Sequence, residues 1–131
     1  MDKLKLRNYR DAELEIEQLE ELLSRIESKI TSAKVASFSN MPIGKGGKKD
    51  VIGANLARLE ALRALYNRRW DALIAARIEI EESIENLAPA ERSLIRYRYI
   101  EGLEWEEVAQ KMRYSISKTT RMHGKILEKI I

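Results

Sequence analysis

The chain has no cysteine, one histidine, one phenylalanine and two prolines among its 131 residues. Without cysteine there can be no disulfide, no thiolate metal ligand and no thiol nucleophile. A lone histidine cannot build a zinc site, and it leaves at most one candidate Ser–His pair for triad chemistry. Aromatics are 6% of the residues and glycines number six, a balance of long solvated helices rather than sheets. No run approaches the roughly 18 apolar residues of a membrane span, and Met1-Asp2-Lys3-Leu4-Lys5-Leu6 lacks the apolar core of a signal peptide. The composition reads as a soluble, cytoplasmic protein that is not an enzyme and carries no metal or cofactor. Its length is room for one ordinary domain, or for an extended element plus a very small one.

Charge, by contrast, is abundant: 34% of residues are charged, with a net +3. Residues 88–131 hold nine Lys/Arg and six Asp/Glu, while residues 1–87 hold fifteen of each, so the whole excess lies at the C-terminal end. From Lys111 onward six basic residues (Lys111, Arg113, Lys118, Arg121, Lys125, Lys129) face one acidic residue, Glu128. A stripe of that density suits a polyanion, although a basic helix face can also be plain solvated surface.

The first periodic segment carries Tyr9, Ala12, Ile16, Leu19, Leu23, Ile26, Ile30 and Ala33 at alternating spacings of three and four, an apolar seam that needs a partner. A breaker with three glycines and a proline, residues 40–50, then predicts a loop. A second seam runs through Ile52, Leu56, Leu59, Tyr66, Trp70, Leu73, Ile80, Ile84 and Leu87. Two such helices, each on the order of 45 to 50 Å long, most simply fold back as an antiparallel hairpin over residues 1–86. The expected fold class is all-α. Within the loop, Gly44-Lys45-Gly46-Gly47-Lys48-Lys49 is not a phosphate loop, because Pro42 stands where the first glycine is needed and Lys49 where Ser or Thr is needed.

From Leu87-Ala88-Pro89 the pattern shortens. Pro89 suits the first turn of a new helix, expected over residues 90–101, with Gly102 as its stop. Glu104 to Met112 reads as a second short helix presenting Trp105, Val108, Ala109 and Met112. Arg113-Tyr114 gives a turn, Ser115 is a good N-cap, and a last helix runs to about Lys129. In that helix Thr119, Met122, Ile126, Leu127 and Ile130 point inward, while Ser117, Lys118, Thr120, Arg121, Gly124 and Lys125 point outward. A short helix with a central alanine, a brief turn and a basic, hydroxyl-rich helix is a helix-turn-helix pattern. Ser115 and the amides of the last helix would meet a phosphate, with outward side chains reaching base edges. Trp70, Tyr66 and Trp105 are expected in the core, and His123 on a helix surface or in a cap.

The run from Glu91 to Ala109, with its Arg96-x-Arg98-Tyr99 helix, Gly102-Leu103 and Glu106-Glu107-Val108-Ala109, resembles region four of the sigma-70 family. More narrowly, the chain is similar to small phage and prophage transcription regulators with a sigma-like C-terminus, the autolysin-regulator and late-gene-activator group. The Met41-Pro42 loop and the stretch Tyr114-Ser115 through Arg121-Met122-His123-Gly124-Lys125-Ile126-Leu127 carry that narrower likeness. The resemblance implies a helix-turn-helix DNA-binding domain over residues 87–131 behind a hairpin serving oligomerisation or partner contact. It implies a sequence-specific transcription regulator, an activator acting with RNA polymerase on double-stranded DNA. A homodimer through the hairpin is expected on separate grounds, since a single small recognition helix binds weakly and two sites about 34 Å apart add affinity. Carried over by position, Ile116, Ser117 and Arg121 would meet bases, with Lys118, Thr120 and Lys125 beside the phosphates. Arg113 and Ser115, in the turn and at the cap, are expected to join the phosphate contacts. Arg113 stands where the family has a turn glycine, and Ile116 and Ser117 where it has charged or polar readers. Two other readings remain open: a phage small-terminase-like packaging subunit, and a coiled-hairpin interaction protein that does not bind DNA.

Overall fold

In a computed structural model, the structure describes the backbone of residues 1–39 and 47–131 and the side chains of residues 1–32 and 53–131. Every element among the described residues is helical: α1 (Lys3–Ser39), α2 (Gly47–Ile84), α3 (Pro89–Ile95), α4 (Trp105–Met112) and α5 (Ile116–Ile130). None of the described helices is long and apolar enough to cross a membrane. Of the loop expected over residues 40–50, the part from Gly47 is corrected, because α2 begins there. Residues 40–46, including Met41 and Pro42, lie outside the described residues, as do the side chains of Ala33 and Ile52.

Asp2 starts α1 by accepting the Leu4 amide proton at 2.9 Å. Along α1, Tyr9, Ile16, Leu23 and Ile30 are all buried, one every seventh residue, while Ala12, Leu19 and Ile26 are half-buried beside them. The seven-residue step keeps one stripe on one side of the helix. Along α2, Leu59, Leu73 and Ile80 keep the same step and are buried. Trp70 departs from it. Standing four residues after Tyr66, it falls on the flank of the stripe and is 38% exposed, so its expected place in the core is corrected.

The chain divides into two compact units, Glu15–Asp71 and a unit formed by Met1–Leu14 with Ala72–Ile131. In the first, Leu23 and Ile30 of α1 bury Leu59 of α2, with Ile26, Leu56, Leu62 and Tyr66 packed around them. Exposed ion pairs Glu27–Arg63 (2.6 Å) and Glu15–Arg69 (3.6 Å) flank this cluster. Being solvated, each contributes about 0 to 1 kcal/mol, so the apolar cluster does most of the stabilising.

In the second unit Leu6 of α1 and Ile80 and Ile84 of α2 are fully buried, as are Leu94 and Ile95 of α3, Val108 of α4, and Thr119 and Ile126 of α5. Pro89 opens α3, and Glu91 accepts the Ala88 amide at 3.1 Å. Arg92 turns back to the Leu87 and Glu85 carbonyls, closing the end of α2. Glu81 takes both forks of Arg96 at 2.7 and 3.1 Å and Arg77 at 3.0 Å. These guanidinium bonds, Arg96 first, hold its carboxyl below the usual range despite partial burial.

After Ile95 the helix widens. The segment Arg96–Ile100 is a π-turn, in which the Glu101 amide reaches the Arg96 carbonyl at 2.9 Å. The expectation of a uniform α-helix to residue 101 is therefore corrected. Gly102 ends the segment at φ +70°, as a helix stop should. Tyr99, buried by the widened turn, hydrogen-bonds His123 Nε2 through its hydroxyl at 2.6 Å, and Trp105 meets the imidazole edge-on at 4.6 Å. His123 is thus half-buried, held by Tyr99 and Trp105 rather than standing free on the helix surface or in a cap. Burial first, then the charges of Lys3 and Arg98, pulls its pKa down to about 4.

In an unfolded chain that imidazole titrates at its ordinary value of about 6.5. Between about pH 6.5 and 4 the unfolded state binds the extra proton, so stability falls as the solution is acidified through that window. Urea unfolding should lose about 2 kcal/mol between pH 7 and 4.5, after allowance for solvent screening at this half-buried site. His123→Phe should flatten that decline. A parent protein with equal midpoints at the two pH values would contradict the assignment.

Candidate nucleic-acid interface

The polar ends of α4 and α5 are set by short-range hydrogen bonds. Glu107 accepts the Glu104 amide at 3.4 Å across the start of α4. At its other end Arg113 adopts a left-handed conformation, φ 59° and ψ 37°, and the Arg113 and Tyr114 amides reach the Gln110 and Ala109 carbonyls. The turn closes on an arginine in a region of backbone space where a side chain costs about 1 to 2 kcal/mol. Ser115 then opens α5, its hydroxyl accepting the Lys118 amide at 3.1 Å.

Helices α4 and α5 pack on each other, with Val108 and Ala109 buried on one and Thr119 and Ile126 on the other. Thr119 resolves its burial by donating to the Ser115 carbonyl at 2.8 Å. Met122, Leu127 and Ile130 are half-buried on the same side of α5. Everything on the opposite side is open: Ser117, Lys118, Thr120, Arg121, Gly124 and Lys125 are all exposed, as expected from their spacing. Ile116 is 49% exposed at the first turn.

The residues expected to touch bases and phosphates therefore share the exposed surface of one helix and the turn before it. Their local bonds define what each can offer. Arg121 Nε donates to the Ser117 carbonyl at 3.3 Å, which leaves both terminal amino groups of the guanidinium for a planar acceptor pair. Lys118 Nζ lies 4.0 Å from the Tyr114 ring centre, a cation–π contact that restrains the ammonium. Ser115 keeps its own hydroxyl proton to donate outward. Thr120 spends its proton on the Ile116 and Ser117 carbonyls at 3.1 Å, so it must rotate to reach a phosphate.

Lys118, Arg121, Met122 and Lys125 border an open concavity of about 480 Å³ with Glu91 and Lys129. Lys129 belongs to the scaffold, since it pairs with Glu91 at 3.0 Å and ties α5 to α3. The Ala88 amide and then Lys129 hold the Glu91 carboxyl below its ordinary range. Arg113, Lys118, Arg121 and Lys125 have no carboxylate within ion-pair distance among the described residues. Counting basic residues along the chain did not separate Lys129 from these, and it passed over Tyr114, which shares no period with the helix it serves.

Compared with protein-family models, curated proteins and solved structures, the chain matches none.

Replacing Arg113 by Gly should relieve the left-handed strain and raise stability by about 0.5 to 1 kcal/mol, net of glycine's greater unfolded-state entropy. Ser115→Ala should lower it by about 1 kcal/mol through loss of the cap. Urea midpoints at pH 7 read both, and a destabilised Arg113→Gly protein would show that the arginine side chain itself holds the turn.

Proposed function

We propose that the chain is a sequence-specific transcription regulator of phage type that binds double-stranded DNA through a C-terminal sigma-like helix-turn-helix, α4 and α5, with α5 in the major groove. The observation that carries this reading is the outer surface of α5 and the turn before it: Lys118, Arg121 and Lys125 on the helix and Arg113 in the turn have no ionic partners among the described residues, and the other side of the helix is packed. The charged surface of the unit Glu15–Asp71 is mixed instead, with Glu27 set on Arg63 and Glu15 on Arg69. A surface that leaves like charges uncompensated suits a polyanion.

Arg121 is the base-reading residue in this account, with its two free amino groups directed at guanine O6 and N7. Ile116 and Ser117 add apolar and hydroxyl contacts, while Arg113, Ser115, Lys118, Thr120 and Lys125 hold the backbone. The N-terminal helices form an antiparallel hairpin for self-association or partner contact. Supporting this, residues 15 and 27 of α1 pair with residues 69 and 63 of α2, in descending order. As an activator the protein would act with RNA polymerase. A homodimer through the hairpin would place two recognition helices on half-sites about 34 Å apart.

Selection from a random duplex pool, followed by titration of the selected site at several salt concentrations, tests the reading. With about four to six phosphates contacted, log affinity should fall against log salt with a slope of about −4 to −5. Arg121→Ala should cost about 1 to 3 kcal/mol on the selected site and relax preference at one base pair. Lys125→Ala should weaken all duplexes alike and flatten the slope by about one. No affinity for any duplex at low salt would refute DNA binding and favour the interaction-protein reading. Affinity joined to a ring-like assembly mass would favour packaging.

A further inference from the structure

A second cationic surface lies within the unit formed by residues 1–14 and 72–131, on the flank of α5 that carries His123. Lys3, Arg7 and Arg10 of α1, Arg98 of the π-turn, and Trp105 and His123 line a polar cleft of about 330 Å³. Three guanidinium groups and one ammonium meet there with little to balance them. Arg10 has Glu13 at 3.4 Å, and Arg98 has the exposed Glu104 at 4.0 Å. Lys3 and Arg7 are exposed and have no carboxylate at ion-pair distance among the described residues.

The positive charges at this place are poorly balanced. Although Asp2 caps α1, the first turn inside the helix holds no acidic residue and opens on Lys3, and Arg7 follows one turn later beside it. The cleft also has a rigid wall. Arg98 lies over the Trp105 ring at 4.5 Å and donates to the Leu103 carbonyl at 2.8 Å, while Gly102 at φ +70° leaves 3.2 Å between its missing Cβ and the Arg10 side chain. A glycine that admits an arginine stem, and an arginine clamped by an indole, together hold cations facing one space. Unfavourable like-charge arrangements of this kind are kept where a ligand offsets them.

We propose that this cleft binds a phosphate-bearing anion, with Lys3 and Arg7 as the principal ligands and Arg10 and Arg98 completing the charge. Guanidinium forks match the oxygens of a tetrahedral oxyanion, which selects phosphate over chloride. The cleft's volume accommodates a diphosphate and excludes a large aromatic ligand from stacking, since one face of Trp105 is taken by Arg98 and His123 packs against the same indole. The site makes no use of the outward surface of α5 and stands independently of the DNA reading.

Inorganic pyrophosphate is the probe, titrated at constant ionic strength into the full chain carrying Trp70→Phe, so that Trp105 reports alone. Fluorescence should change saturably. Lys3→Ala and Arg7→Ala should each weaken the response about tenfold, in keeping with the loss of one charge-assisted hydrogen bond. The double variant should abolish it, and Lys118→Ala with Lys125→Ala should leave it intact. In the same titration the single imidazole, followed by NMR, should gain a higher pKa as the bound anion offsets Lys3 and Arg98, a response that a purely structural cluster would not give. Displacement of pyrophosphate by duplex DNA would identify the natural phosphate as nucleic-acid backbone. Duplex binding without displacement would identify a free phosphorylated molecule. No saturable change up to millimolar pyrophosphate, or a response that survives the double variant, overturns the proposal.

Discussion

The packing of α4 against α5 is the constraint from which the exposed cationic surface follows. Val108 and Ala109 are buried on one helix, Thr119 and Ile126 on the other, and the turn between them is closed by a left-handed arginine and a serine cap. Once these residues are fixed, the rotation of α5 about its own axis is fixed too, and every cation between Arg113 and Lys125 is forced outward. A helix free to rotate would average its charges over all directions. Pinned, it offers Arg121 and Lys118 at defined positions, each restrained by a local contact that lowers the entropy lost on binding.

The unit that holds α5 distinguishes charges that stabilise from charges that remain available. Lys129 with Glu91, Lys5 with Glu79, and Arg96 with Glu81 are paired and join separate helices. Arg113, Lys118, Arg121 and Lys125 are not so paired, and neither are Lys3 and Arg7, among the described residues. Paired surface ions add little free energy, about 0 to 1 kcal/mol each, but they remove a cation from competition for an external anion. The sorting of lysines and arginines into these two groups is therefore more informative than their number.

Local chemistry was legible from the sequence wherever the relevant physics is local. Pro89 at a helix start, Gly102 at a stop, Ser115 as a cap and the inward and outward residues of α5 all follow from short-range rules. The seven-residue stripe of α1 was equally plain. The misreadings involve partners distant in sequence or a change of helical pitch. His123 owes its place to Tyr99 and Trp105, which the π-turn and the start of α4 bring to it. Trp70 fits a spacing of three and four but lies outside the repeat that the neighbouring buried residues follow. The cationic cleft was invisible because its members come from residues 3 to 10, 98 and 123, and no spacing along the chain relates them.

Amide NMR of the labelled protein with a duplex selected from a random pool tests the central claim most directly. The account predicts shifts and broadening concentrated at the turn and the outward residues of α5, Arg113 to Lys125, while buried Thr119 and Ile126 keep their intramolecular contacts. Perturbations confined to residues 15–71, or none at all with duplex in excess, would contradict it.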